Sequence, residues 1–470
     1  MSNTVIVINH RQLAWLIGSM MTGGGLIAVQ HELVKIAKMD AWFSYLLPTF
    51  YVLLIAFVLA QLSRRFPQMN LFEIIMKVFG RIAGTLVNLL LVAHLWMILM
   101  RDTRALSKFI NTMLLPNTPE EILVTLLFLL LMFYGRTSVE VIARVNDLFF
   151  PLFFCVIILL PLLLSNELNK YLIQPVLTSE PLQLWYTNIL GIGWYGDLLL
   201  VGAFLHTIWN AKQLQSAFRH GSIIATCLLS LFLFMEIVVL GPSMPANMIY
   251  PNYMLVQHIH VTDFLDRIDL VILSIWFPIL ACKIILTYLA LLTGLASLLR
   301  QRDYTFINSP VSLLLLLTSL LAFKSTTEVH AFGNYSSPVI ILAYQPLLLA
   351  ALLIGMRRFP VRPETENPNS SSGESSSKPR SSNSIRSGGG GGGSPGARMQ
   401  QGFKRVTYGH LVWSSNGLLA LSALFVGAGL LLGKSYAPVG VAGAIGFTVC
   451  LLLSLLTTHL EMKRAAQPQS

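Results

Sequence analysis

The sequence predicts an all-α polytopic membrane protein. Ten helices form a five-plus-five inverted repeat with broken helices 1 and 6, and a C-terminal two-helix transmembrane hairpin follows. Three observations carry this prediction. Hydrophobic residues make up 54% of the 470 residues and charged residues 11%, and the mean hydropathy is +0.67. Apolar runs of bilayer-spanning length recur along the chain. The first and sixth of these runs hold glycine clusters, Thr22-Gly23-Gly24-Gly25 and Gly191-Ile192-Gly193-Trp194-Tyr195-Gly196-Asp197. Glycine lowers helix propensity, and hydrocarbon supplies no water to a broken backbone. Interruptions at corresponding places in two halves point to a transporter-type binding site. The competing use of such glycines is close helix packing.

The first ten spans fall near 11–30, 41–62, 83–112, 121–135, 141–164, 185–208, 221–241, 268–299, 309–324 and 338–356. Two more follow near 411–433 and 438–459. The first run lacks a small-residue cleavage motif and reads as a retained span. One set of loops, from Arg11 through Arg64, Arg65 and Lys77 to Arg357, Arg358 and Arg362, is the richer in Lys and Arg. The richer side is cytoplasmic, so both termini are expected there and the loop 242–265 outside. Pro242, Pro245 and Pro251 make that loop a shaped cap. The net charge of +11 does not imply nucleic acid, because the basic residues are scattered over short loops. Cys155, Cys227, Cys282 and Cys450 lie inside apolar runs and read as small core residues, not as disulfides or metal ligands.

Several stretches together carry a family resemblance. They are Gln12-Leu13 before the Gly23–Gly25 cluster, Leu114-Leu115-Pro116-Asn117-Thr118-Pro119, Val141-Ile142-Ala143-Arg144 running to Phe150-Pro151, and Tyr195-Gly196-Asp197. Asp263-Phe264-Leu265-Asp266-Arg267-Ile268-Asp269, followed by Ile275-Trp276 and Lys283, completes the set. In this order they resemble the endospore germination permease family, the B-type subunits of nutrient germinant receptors. Asp197 stands where the family usually has Glu, which keeps the charge on a shorter arm. The resemblance implies a LeuT-like bundle of the amino acid–polyamine–organocation superfamily in the inner membrane of bacterial spores. It also implies a small nutrient germinant, often an amino acid, and two partners: an A-type membrane subunit and a C-type lipoprotein.

For an amino acid ligand, a half-helix starting at a break aims free N–H groups at the carboxylate. Gly23, Gly24 and Gly25 admit the ligand to the main chain, and Thr22 flanks them. Carbonyls at the break around Gly191 and Gly193 suit the ammonium. Asp197 either joins them or bridges to a basic residue. Trp194 either walls the pocket or packs as an ordinary aromatic. Trp96 and Met100 of span three, and Trp276 and Thr287 of span eight, are the further candidate lining residues.

Three intramembrane ionisable residues stand out: Arg101, Glu236 and Lys283. Arg101, Asp102 and Arg104 also suit the water-facing end of a long tilted helix. Lys283 lies deep in an apolar run, where a cation is costly unless paired. It would hold span eight against span one, with Asp197 or Glu236 as partner. Asp263, Asp266, Arg267 and Asp269 either order an outer vestibule or serve as helix-start acids.

Residues 1–360 form the permease domain, 361–398 a Ser/Gly-rich linker expected to be disordered, and 399–470 the hairpin. The hairpin resembles a small two-span D-type accessory subunit, and Gly427, Gly429, Gly433, Gly440, Gly443 and Gly446 give it a close-packing face. An unrelated appended anchor is the alternative. The chain shows no nucleophile elbow, metal-ligand spacing or phosphate loop, so neither an enzyme nor a cofactor is expected. The functional expectation is a germinant sensor, with an ion-coupled amino acid transporter as the alternative and a channel subunit behind it.

Overall fold

A computed structural model describes residues 8–208, 210–259, 267–301, 303–360 and 408–465. All regular elements among them are helical. Ten helices are long and apolar enough to cross a membrane, and one bent pair adds an eleventh. The bent pair is span one. Asn9 starts it, donating its N–H to Gln12 Oε1 at 3.2 Å in a capping box. Helix His10–Ala28 then runs on through the three glycines. The chain turns at Val29, and the pieces His10–Leu26 and Gln30–Phe43 lie at 65°.

Spans two to five are Leu46–Arg65, Arg81–Met113, Glu120–Tyr134 and Val139–Leu163. Span four has 15 residues, which reach about 22 Å at 1.5 Å each. That is short of the roughly 30 Å hydrocarbon core. Spans six to ten are Pro181–Thr207, Ala211–Leu240, Ile268–Leu298, Thr305–Ala322 and Thr326–Arg358. Span six is α-helical to Tyr195 and changes to a 3₁₀-helix over Gly196–Thr207. Such a run is long for 3₁₀ geometry, which often marks a hinge.

Burial orders the bundle. The apolar stretch of span six is 89% buried and that of span seven 72%, whereas spans five and nine are 28% buried. Spans six and seven therefore form the interior. Spans five and nine turn leucines such as Leu148, Leu162, Leu313 and Leu321 outward, as lipid contact requires. Two short helices, Ser243–Ala246 and Pro251–Gln257, shape the expected cap.

The hairpin is span eleven, Tyr408–Leu432, and span twelve, Ala437–Ala465. It lies against span seven. Arg219 Nη1 pairs with Glu461 Oε2 at 3.2 Å, both nearly inaccessible. His220 Nδ1 meets Thr458 Oγ1 at 3.1 Å. Phe447 packs edge-on against Trp42 and Phe43. Gly429, Gly433, Gly440 and Gly443 leave a notch that seats Val176 and Leu177.

Two expectations are corrected. The discontinuity of span one is at Val29, not at Gly23–Gly25: helix His10–Ala28 runs unbroken through all three, and Gly24 makes room for Lys283 and Trp194. Cys155 is exposed at the lipid side instead of in the core. The linker 361–398 and the acids Asp263 and Asp266 lie outside the described residues.

Candidate functional site

Four charged side chains meet in the centre of the bundle. Arg101 and Asp102 come from the middle of span three, Asp197 from the first 3₁₀ turn of span six, and Lys283 from the middle of span eight. Arg101 Nε lies 2.8 Å from Asp102 Oδ1 and its Nη2 2.6 Å from Asp197 Oδ2. Lys283 Nζ lies 2.9 Å from Asp102 Oδ2 and 3.5 Å from Asp197 Oδ2. None of the four side chains is more than 3% exposed. Two cations and two anions leave the cluster neutral, which is how buried charge is tolerated.

Trp194 lies against both cations, its ring centre 4.0 Å from Arg101 Cζ and 5.2 Å from Lys283 Nζ. Arg101 also donates to Ser337 Oγ at 2.9 Å and to the Gly193 carbonyl at 3.5 Å. The cluster is not fully satisfied. Lys283 and Asp102 Oδ2 meet the distance of an ion pair but not the alignment of a hydrogen bond. Asp197 Oδ1 has no hydrogen-bond partner among the described residues. Asp197 also lines a cavity of about 20 Å³ with His94, Tyr344 and Gln345.

The bend of span one is stitched by asparagines. Asn252 of the cap donates to the Leu26 carbonyl, and Asn334 of span ten donates to the Ala28 carbonyl at 2.8 Å. Asn334 Oδ1 in turn accepts from Trp194 Nε1 at 3.2 Å. The bend, the indole and the charge cluster are thus one connected unit.

A family profile described as spore germination protein matches residues 7–327. The chain belongs to the spore germination permease family. The permease is 25% identical over 324 residues to germination protein YfkT of Bacillus subtilis (strain 168), covering 68% of this chain and 89% of that one. It is 22% identical over 365 residues to spore germination protein YndE of the same organism, covering 76% and 95%. Among solved structures it resembles Mhp1, a nucleobase-cation-symport-1 family transporter in a closed conformation with bromovinylhydantoin bound. The TM-score is 0.53 at 13% identity, with 98% of this chain and 96% of that chain covered. The permease therefore has the LeuT-type fold and is a multi-pass membrane protein.

In this germination permease Trp194, Asp197, Arg101 and Lys283 converge, and Gly24 and Gly193 touch the same cluster. Asp197 takes the bridging role. Lys283 pairs with Asp197 as expected, but its shorter contact is to Asp102. Glu236 is not its partner: it is fully buried, and neither carboxylate oxygen has a hydrogen-bond partner among the described residues. Arg101 and Asp102 sit in the core, not at a water-facing helix end. The outer basic pair, Arg104 and Lys108, holds Glu120 at 2.9 and 2.8 Å.

Other expected lining residues point elsewhere. Trp96 Nε1 donates to Thr318 Oγ1 of span nine at 3.1 Å. Thr22 and Thr287 bond back to Gly18 and Lys283 carbonyls of their own helices, the habit of hydroxyls inside membrane helices. Met100 packs against Ala105 and Phe323. Gly191 packs on Pro48, Gly23 on Leu280 and Gly25 on Leu229. Trp276 lines a different, outer cavity. Sequence reasoning passed over Asn252 and Asn334, whose amides carry no signal in the chain, and it named Asp102 only as part of a possible helix end.

Proposed function

We propose that this permease is the germinant-sensing membrane subunit of a spore nutrient receptor, and that its ligand is an amino acid. The observation that supports the reading is the neutral, under-satisfied cluster of Arg101, Asp102, Asp197 and Lys283. A zwitterion carries one charge of each sign, as each ion pair does. Its carboxylate would replace Asp102 opposite Lys283, and its ammonium would take the released carboxylate. Such an exchange leaves no buried charge unpaired, which avoids the main penalty of entering the core.

The cluster ties spans three, six and eight together and touches spans one and ten. Exchange of partners would change how those helices are held. A ligand shifts such an equilibrium only through differential affinity for the two arrangements. We read the output as a signal to an A-type membrane subunit and a C-type lipoprotein in the spore inner membrane, with both termini on the core side. The hairpin is read as a fused accessory subunit that its linker keeps close to the bundle.

The test is radiolabelled amino acid binding and uptake by the purified full chain in proteoliposomes. Saturable binding without accumulation is expected, weakened at least about ten-fold by Asp102→Asn, a loss of one charged partner. Counterflow or ion-driven accumulation would make the protein an ion-coupled amino acid transporter. Absence of saturable binding across the twenty common amino acids would sink the reading.

A further inference from the structure

Two histidines meet where the hairpin lies on span seven. His220 of span seven and His459 of span twelve have ring centres 5.5 Å apart and ring planes at 48°. His220 is 6% exposed, so the contact shuts it away, whereas His459 is exposed. Thr458 and Glu461, beside His459 on span twelve, are fully buried. The hydrogen bonds fix which proton neutral His220 carries. Its Nδ1 lies 3.1 Å from Thr458 Oγ1. That hydroxyl already donates to its own helix, to the Ser454 and Leu455 carbonyls at 2.9 and 3.0 Å. Assigned from this network, the N–H of His220 sits on Nδ1 and the hydroxyl accepts from it. A second proton then binds at Nε2.

That proton enters basic surroundings. Arg219 precedes His220 in span seven. Lys463 follows His459 by one helical turn and acts on it electrostatically. Tyr408 of span eleven lies near Arg219 and Arg64 of span two. From span one, Ala14 and Ile17 pack on Gly221 and bring no charge. Among the described residues the acid at this contact is Glu461, and Arg219 Nη1 already holds it at 3.2 Å. Residues 399–407 and 466–470, which adjoin the two hairpin helices in sequence, contain no Asp or Glu. A proton on His220 therefore sets a second buried cation beside one shared acid, which is costly out of water. A proton on His459 adds repulsion of the same sign.

We propose that the joint between hairpin and bundle is proton-sensitive: it closes on neutral His220 and His459 and loosens when they take up protons. Linkage sets the sign. A proton costs more in the closed joint than in the open one, so the joint weakens as pH falls. The window is that in which histidine changes charge, about pH 8 to 5. The inference rests on the contacts of the hairpin alone and holds whatever the charge cluster binds.

The test starts from the full chain with a protease site inside 361–398 and an affinity tag ahead of residue 1. The linker is cut after purification in detergent, and the hairpin that stays on the tagged bundle is measured from about pH 8 to about pH 5. The parent is expected to hold the hairpin at least about ten-fold more weakly at the acid end. His220→Asn keeps an N–H near the Nδ1 position and cannot take the proton, and His459→Asn removes the second ring. Each should cut the acid response at least about three-fold, with retention at the alkaline end near that of the parent. Either variant suffices if the other does not fold. Glu461→Gln separates the histidines from the carboxylate: the hairpin should be held less tightly at every pH and still respond to acid. Flat retention in the parent, release at every pH, an undiminished response in the histidine variant, or a response lost in Glu461→Gln would overturn the proposal.

Discussion

Gly24 of span one makes room for Lys283 of span eight. A Cβ at position 24 would overlap Lys283 Nζ and stand 2.8 Å from Trp194 Cε3. Lys283 can retreat only by leaving Asp102, and Trp194 only by leaving Asn334 and the Arg101 face. The glycine thus serves packing around a charge, and its neighbours in the cluster share that service unequally.

Gly24→Ala should therefore disturb the charge cluster. Overpacking of this kind costs about 1–3 kcal/mol, against a gain of at most about 1 kcal/mol in helix propensity. Gly25→Ala should be tolerated, since its nearest neighbours are Leu229 methyls at 3.7 and 3.9 Å. Unfolding midpoints and nutrient dose-response of both variants in nanodiscs check this. A harmless Gly24→Ala would show that the centre is looser than described.

Asp102→Asn removes the nearer partner of Lys283 and one partner of Arg101. Breaking a buried pair from one side costs about 3–5 kcal/mol. Lys283→Met should cost a similar amount, and the double variant less than the sum of the two, because no lysine is then left unpaired. A double-mutant cycle by thermal or denaturant unfolding gives the coupling. Strict additivity would mean that the two side chains act independently.

The hairpin should bind the bundle as a separate piece. Residues 1–360 and 399–470, expressed from two genes, are expected to co-purify. Gly440→Val should break the association, because any side chain there meets the Val176 carbonyl. Glu461→Ala should weaken it by leaving Arg219 buried and unpaired, a loss of about 3–5 kcal/mol. Co-purification unaffected by both changes would place the interface elsewhere.

Asp40 should control the entry to span six. Its carboxylate accepts from the N–H groups of Leu177, Thr178 and Ser179 at 2.6, 2.9 and 2.8 Å. Asp40→Ala strips three donors of their acceptor, each worth about 1–3 kcal/mol when buried. Amide exchange at 177–179 should accelerate by more than about ten-fold. Unchanged protection would show that the loop is held by other contacts, such as Leu177 in the glycine notch.

Much of the bundle was legible from local signals. Apolar runs of fixed length mark spans whatever their neighbours, so eleven of the twelve expected crossings, the bent pair counted as one, have the length and polarity of a span. Lys283 and Asp197 stood out because a charge is rare in hydrocarbon. The glycine clusters pointed to the right helices, yet the cause assigned to them was wrong at span one. A glycine run reads alike whether it breaks a helix or admits a neighbour. The choice rests on what faces it, here Lys283 and Trp194. Trp96 and Thr287 read as pocket residues for the same reason, since rotation of a helix about its axis is invisible in an apolar run.

By itself the sequence determined the membrane class, the succession of helices and the presence of ionisable groups at their centres, because length and hydropathy act through the bilayer residue by residue. Only the tertiary structure decided that Lys283 meets Asp102, that span one bends at Val29, and that Asn252 and Asn334 hold the carbonyls at that bend. Those outcomes depend on pairings between segments far apart in the chain, and pairing energies follow from distance and angle, which composition does not contain.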